Sequence, residues 1–472
     1  MSIEAIKKLL GPKGFIDNAA DMAAYVEEPR GRWAGHTPLV ARPDTVADVA
    51  KVVEICQQSG LHITPQGGHT GLVDGGTPHG DDILLSLGRL NAIRDIDAAG
   101  FTMTVEAGCI LADIQTATIE EDRLFPLSLA AEGSCQIGGN LSTNAGGVHV
   151  LRYGNARDLV LGLEVVLPDG RIWHGLNSLR KDNTGYDLKQ LFLGAEGTLG
   201  IITAATLKLF PLPKRMSVAF VALPNVEAAI TLLALAKESH GDTLNAFELV
   251  PRRAIDFVTR HLADCRDPMN TSYPWYALVE LASSDSSSDT NGHMEQLLEQ
   301  ALGKNIISDA VIAQSDREQA DLWRLREEIS GIQKFEGGSI KHDVSVPIRH
   351  IPAFIEEASK AVEGMAPGIR PVPFGHIGDG NIHFNLSQPE GADSDAFLDQ
   401  WEAINEVVHD IVHKFGGSIS AEHGIGRAKV DELRRYKDPL SLELMGRLKN
   451  ALDPANIMNP GRILPEDLSG GE

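Results

Sequence analysis

Apolar residues recur along this chain with two periods, 3.6 and 2. In TVADVAKVVEICQQSG, Val46, Val49, Val52, Val53 and Ile55 fall on one helical face, and Gly60 supplies a stop. Ile3, Ile6, Leu9 and Leu10 predict an amphipathic first helix, and a second helical piece follows around Asp21–Glu28. Short β-rich runs predict strands at PLVARP, LHITPQ, DDILLSL, Ile93–Ile96 and Thr102–Glu106. LVLGLEVVLPDGRIWHG reads as a hairpin around Pro168-Asp169-Gly170, and Pro211 and Pro213 punctuate a boundary. From Met216 strands such as SVAFVALP and PWYALVELASS alternate with helices such as VEAAITLLALAKES. That texture predicts antiparallel strands with helices on one face. DREQADLWRLREEISGIQKFEGG predicts one long helix and SIKHDVSVP one strand.

Length and charge bound the function. A chain of 472 residues predicts two to three domains. A net charge of −23 opposes nucleic acid and anionic lipid, so an anionic substrate would need a local cationic pocket. No apolar run is long enough to span a bilayer, and MSIEAIKKLLGPKGF has neither a signal h-region nor an Arg-rich transit character. The expectation is a cytoplasmic protein. Cys56, Cys109, Cys135 and Cys265 form no CxxC pair, which fits a reducing compartment.

Three glycine turns each adjoin a strand: PQGGHTG from Pro65, GSCQIGGNLSTNAGG from Gly133, and LGAEGTLGIIT from Leu193. Consecutive glycines let backbone N–H groups approach an anion. PQGGHTG is not a GxGxxG opening a helix, which argues against a Rossmann fingerprint. PFGHIGDGNIHFN predicts a strand, a turn at Gly378 to Asn381 with Asp379 as turn former, and a second strand. Such a hairpin would bring His376 and His383 together as half of a metal site, or it is a polar loop with two unrelated histidines. SAEHGIGRAK places Glu422 and His423 side by side before Gly424. Arg326 and Ser330, four apart, share a helix face. Lys341 is expected within a strand, and Asn385 on the same strand face as His383.

These segments together resemble the vanillyl-alcohol oxidase/p-cresol methylhydroxylase superfamily, from about Pro38 to Ile463. The C-terminal half is similar to its branch of D-lactate, glycolate and D-2-hydroxyglutarate dehydrogenases. The resemblance implies an α+β fold, with a PCMH-type FAD-binding domain of two α+β subdomains, an antiparallel-sheet-and-helices substrate (cap) domain, and a C-terminal helical segment. The expected bounds are a helical lead-in at 1–35, the FAD-binding domain at 36–214, the substrate- and metal-binding cap at 215–425, and a tail at 426–472 packing back on the FAD domain. By resemblance FAD would meet Gly67, Gly68, His69, Thr70, Gly71, Gly133, Gly138, Gly139, Thr143, Asn144, Gly147, Gly197, Ile201 and Asn459. Some of the superfamily attach FAD covalently through a His after paired glycines, where His69 stands here, and a Cys in a later glycine loop, where Cys135 stands, but this branch usually holds FAD non-covalently.

The same resemblance assigns His376, His383 and Glu422 to a divalent metal, usually zinc, and Arg326, Ser330 and Lys341 to substrate; Asn385, on the strand face of His383, would hydrogen-bond substrate. Two histidines and one carboxylate leave a metal position open for substrate. His423 would touch substrate and serve as general base. The implied reaction oxidises a D-2-hydroxy acid to the 2-oxo acid, with hydride passing from C2 to the flavin. Paired cations favour a diacid such as D-2-hydroxyglutarate or D-malate. D-lactate or glycolate is the alternative within the family, and a flavin-free metal hydrolase the alternative from another class. The expected electron acceptor is an electron-transferring flavoprotein or a quinone. The family also suggests a homodimer.

Overall fold

Residues 2–28 and 31–469 are described by a computed structural model. The chain divides into two units, one comprising Met1–Gly147, Gly154–Leu212 and Glu422–Glu472, the other Val148–Tyr153 and Pro213–Ala421.

The first unit holds a two-stranded pair, Arg123–Leu124 with Phe210–Pro211, and two larger sheets. In the smaller, Val40–Ala41 and Ile63–Gln66 flank Ile83–Ser86, both in parallel. The helix Val46–Ser59 makes the crossover between the first two. Thr45 caps it by accepting from the Asp48 N–H, and Gly60 closes it in the left-handed region at φ 66°. Its buried face, Val49, Val52, Val53 and Cys56, joins Ile63, Ile83 and Leu85 in one core. The larger sheet is antiparallel, in the order Ile93–Asp97, Thr102–Glu106, Ile201–Lys208, Val160–Val166, Ile172–Gly175. These are the two α+β layers expected of the FAD-binding fold. The tail returns to the smaller sheet, where Met458 bridges Ile63.

In the second unit, Leu244–Pro251, Trp275–Ser283, Arg215–Leu223 and Asp309–Ile312 form an antiparallel sheet in that order. The expectation of helices on one face is corrected here. Val218, Phe220 and Ala222 pack with Ile255 and Val258 of the helix Arg252–His261 and Leu325 of Asp316–Glu327. Their alternates, Ala219 and Val221, are equally buried, and the helices Val226–His240 and Thr290–Gly303 also pack on the sheet. A strand covered on both faces carries no polar alternation, so the sequence could not show which side was open.

A second sheet of this unit is built on Asn381–Ser387. Arg370–Phe374 pairs with one edge; Ser339–Ile340 and Asp343–Ser345 share the other. The predicted single strand SIKHDVSVP is therefore two, interrupted at Lys341 and His342. The predicted long helix is likewise broken into Asp316–Glu327, Ile329–Ile332 and a 3-10 turn Gln333–Glu336. Among the described residues, no helix is long and apolar enough to cross a membrane.

Candidate active site

In the first unit the three glycine-rich segments converge on one cavity enclosing about 970 Å³ of atom-free space, its open mouth included; the second is not a turn there but the helix Ile137–Ser142. Gly67, Gly68, His69, Thr70 and Gly71 line it from the first segment. Gly138, Gly139 and Thr143 line it from the second, and Gly197 and Ile201 from the third. The glycines serve two different needs. A Cβ on Gly68 would meet the Ser134 carbonyl oxygen at 2.2 Å, and one on Gly138 would meet the Ala107 Cβ at 2.6 Å. These positions let loops pack together. At Gly71 and Gly139 a Cβ would meet nothing within 4 Å, so bare backbone faces the cavity.

The remaining cofactor candidates, Gly133, Asn144, Gly147 and Asn459, are not part of this lining. Gly147 is held at φ 144° with a Cβ position 2.1 Å from the Ser128 carbonyl, and Asn144 accepts from the Arg157 N–H. Gly133 makes no such close approach. Asn459 donates through Nδ2 to the carbonyls of Gly75 and Glu196, two lining residues, at 3.0 and 2.8 Å.

The cavity is suited to a polar cofactor. The Oε1 of Gln136, the Oδ1 of Asn140 and both ring nitrogens of His69 are buried without a hydrogen-bond partner among the described residues. All three residues line the cavity. Orphaned groups of this kind are rare unless something else satisfies them. Burial lowers the pKa of His69, which keeps the ring neutral. Cys135 also lines the cavity, and burial pushes its thiol up, disfavouring the thiolate that a covalent link would need.

His423 lines the same cavity, on a turn fixed from several sides. The Val73 carbonyl accepts from the N–H groups of Arg427 and Ala428, and the Gly426 carbonyl accepts from Ile463. The buried carboxylate of Glu196 accepts from the N–H groups of Ile425 and Gly426. Glu196 escaped the reading of the sequence, where it sits inside the GAEGTLG turn as one carboxylate among glycines.

In the second unit the hairpin forms, pairing Phe374 with His383. The His376 and His383 rings lie 5.6 Å apart between centroids. The backbone bridge between Leu249 and Gly375 sets Glu248 beside His376. Glu248 Oε1 is 2.6 Å from His376 Nδ1, and its Oε2 accepts from Arg326 Nε at 2.6 Å. His383 Nδ1 stands 3.8 Å from Asp343 Oδ1, the oxygen that also accepts from Asn381 Nδ2.

The expected substrate residues are placed unevenly. Arg326 is buried, its guanidinium carbon 4.7 Å from the centre of the Phe374 ring. Lys341 lies in the gap between two strands and donates to the Ser330 carbonyl at 2.8 Å. Ser330 is exposed. Asn385 is buried and donates to Gln333 Oε1, while Gln333 in turn donates to Ser387. Glu422 directly follows Ala421, whose N–H bonds the carbonyl of Asp343, and Asp343 pairs in register with His383.

Residues 37–175 match the FAD binding domain family, and residues 212–463 match the C-terminal domain of FAD linked oxidases. The chain belongs to the FAD-linked oxidases. It is 36% identical to the mitochondrial D-2-hydroxyglutarate dehydrogenase of Arabidopsis thaliana over 99% of this chain and 82% of that one. The mitochondrial D-2-hydroxyglutarate dehydrogenase of Danio rerio is 38% identical over 92% of this chain and 80% of its own length. A D-2-hydroxyglutarate–pyruvate transhydrogenase of Saccharomyces cerevisiae is 34% identical over 94% and 90%. Among solved structures, p-cresol methylhydroxylase with substrate bound superposes with a TM-score of 0.77 at 17% identity, covering 98% of this chain and 96% of that one. That likeness establishes the PCMH-type fold of this FAD-linked oxidase.

Proposed function

We propose that this FAD-dependent hydroxy-acid dehydrogenase oxidises D-2-hydroxyglutarate to the 2-oxo acid, with D-malate as the next substrate in preference. The observation that carries the reading is the second unit's pairing of an imidazole cluster with a buried guanidinium, His376 and Arg326 sharing Glu248. Relatives named for D-2-hydroxyglutarate, matched over 80–82% of their own length, support it.

FAD, held non-covalently, would meet Gly67 to Gly71, Gly138, Gly139, Thr143, Gly197 and Ile201, and it supplies a hydride acceptor when bound. His376, His383 and Glu422 would hold a divalent metal, each offering one ligand atom; zinc fits the two-imidazole, one-carboxylate set and supplies a Lewis acid when bound. Arg326 binds the distal carboxylate of substrate through its terminal nitrogens, since Nε is already committed to Glu248. Lys341 adds a positive charge, and Ser330 and Asn385 add polar contacts. His423 takes the proton of the 2-hydroxyl at an imidazole nitrogen, because a neutral imidazole is the base best matched to neutral pH.

The deciding experiment is anaerobic flavin bleaching with D- and L-2-hydroxyglutarate, D-malate and D-lactate, with kcat/KM for each. D-2-hydroxyglutarate should lead. A kcat/KM for D-lactate about tenfold higher would replace the diacid reading with the D-lactate one. For the electron acceptor, an electron-transferring flavoprotein or quinone is the first reading. The yeast relative's name favours a second, in which a 2-oxo acid such as pyruvate re-oxidises the enzyme. Stoichiometric D-lactate formed from pyruvate would establish it.

A further inference from the structure

We propose that Glu248 is a positioning residue that selects which nitrogens of His376 and Arg326 remain for metal and substrate; this rests on the metal and diacid reading above. Glu248 is fully buried in the strand Leu244–Pro251. Its two oxygens are divided between two partners, Oε1 with His376 Nδ1 at 2.6 Å and Oε2 with Arg326 Nε at 2.6 Å. Arg326 is permanently charged and its Nε can only donate, so the oxygen 2.6 Å from it belongs to a carboxylate. An ionised carboxylate only accepts hydrogen bonds, so both partners must donate to it.

Each donation has a chemical consequence. With its proton on Nδ1, neutral His376 carries its lone pair on Nε2, the nitrogen that would ligate a metal. With Nε committed, Arg326 keeps its two terminal nitrogens for a planar anion. The Phe374 ring, 4.7 Å from the guanidinium carbon, further limits the tilt of that plane. One carboxylate thereby fixes the ligand atom and the anion clamp relative to each other. Substrate length would be measured between them, so Glu248 contributes to selection of a diacid without touching it.

Glu248→Gln separates this role from simple packing. Glutamine has nearly the same shape but offers one acceptor and one donor. Against two N–H donors, one contact must fail, or His376 must move its proton to Nε2. Glu248→Asp keeps the charge and shortens the reach. In full-length flavoenzyme, zinc affinity is measured by chelator competition, KM by steady-state kinetics with D-2-hydroxyglutarate, and the His376 tautomer by side-chain 15N NMR, its signal assigned with His376→Gln. Glu248→Gln should weaken zinc about 10- to 100-fold or raise KM for D-2-hydroxyglutarate by a similar factor, with flavin content and Tm held. Glu248→Asp should restore the tautomer better than the affinity. Wild-type zinc affinity and KM in Glu248→Gln would overturn the proposal, as would losses seen only together with flavin and Tm. If the wild type binds no zinc, the tautomer still decides. A His376 signal that changes in Glu248→Gln upholds positioning while the metal reading fails; an unchanged signal overturns positioning.

Discussion

Glu196 and Ile425, 229 positions apart, are joined by a 2.7 Å hydrogen bond from backbone N–H to buried carboxylate. A second bond of 2.7 Å comes from Gly426. Burial pushes the Glu196 carboxyl up to about 7 in spite of both. A folded pKa above the unfolded value of about 4.3 means the stabilising contribution is complete below that pH and is lost as pH rises through 7. Wild-type stability should therefore fall between about pH 4.5 and 7 more steeply than that of Glu196→Gln. Denaturant midpoints across that range test it; parallel curves would remove Glu196 as the titrating group.

Gly139 faces the cavity with open space where a Cβ would stand. Gly139→Leu should therefore fold as the wild type does but fill the cofactor's place. The purified variant should be colourless and keep the apoprotein's Tm. A yellow Gly139→Leu protein would mean that the flavin lies elsewhere.

His423 lines the same cavity while Glu422 beside it is the proposed ligand. His423→Ala should retain flavin and metal and lose about 10²- to 10⁴-fold in kcat. Chelation of the wild type should remove turnover and leave the flavin spectrum intact, with zinc restoring activity. Full activity in His423→Ala, or indifference to chelator, would break the respective assignment.

Lys449 is buried and donates to the carbonyls of Thr198 and Met458 and to Asp453 Oδ2 at 2.5 Å. It ties the tail to the third glycine turn. Lys449→Met strands the Asp453 carboxylate in the interior and should cost about 3–5 kcal/mol. Lys449→Met combined with Asp453→Leu removes both charges but strips the buried N–H groups of Ile457 and Met458 of their acceptor, so it should recover only part of that loss. Chemical denaturation of the four proteins measures the coupling.

The sequence by itself determined the local chemistry. Glycine turns, the Asn- and Gly-bearing hairpin, the Thr45 cap and the Gly60 stop depend on residues within a few positions of one another. That is why the flavin-side loops and the two histidines were legible before any fold was in view. Tertiary structure alone decided how the side chains are shared. Glu248 reaches His376 across 128 positions because Leu249 happens to pair with Gly375. Glu196 reaches Ile425 across 229. Neither glutamate sits in a pattern that spacing could flag, since a buried carboxylate is defined by its partners and not by its neighbours in sequence. The same reasoning explains Lys341, expected in a strand and found in a gap, because strand register is fixed by pairing with Asn381–Ser387 and not by local propensity.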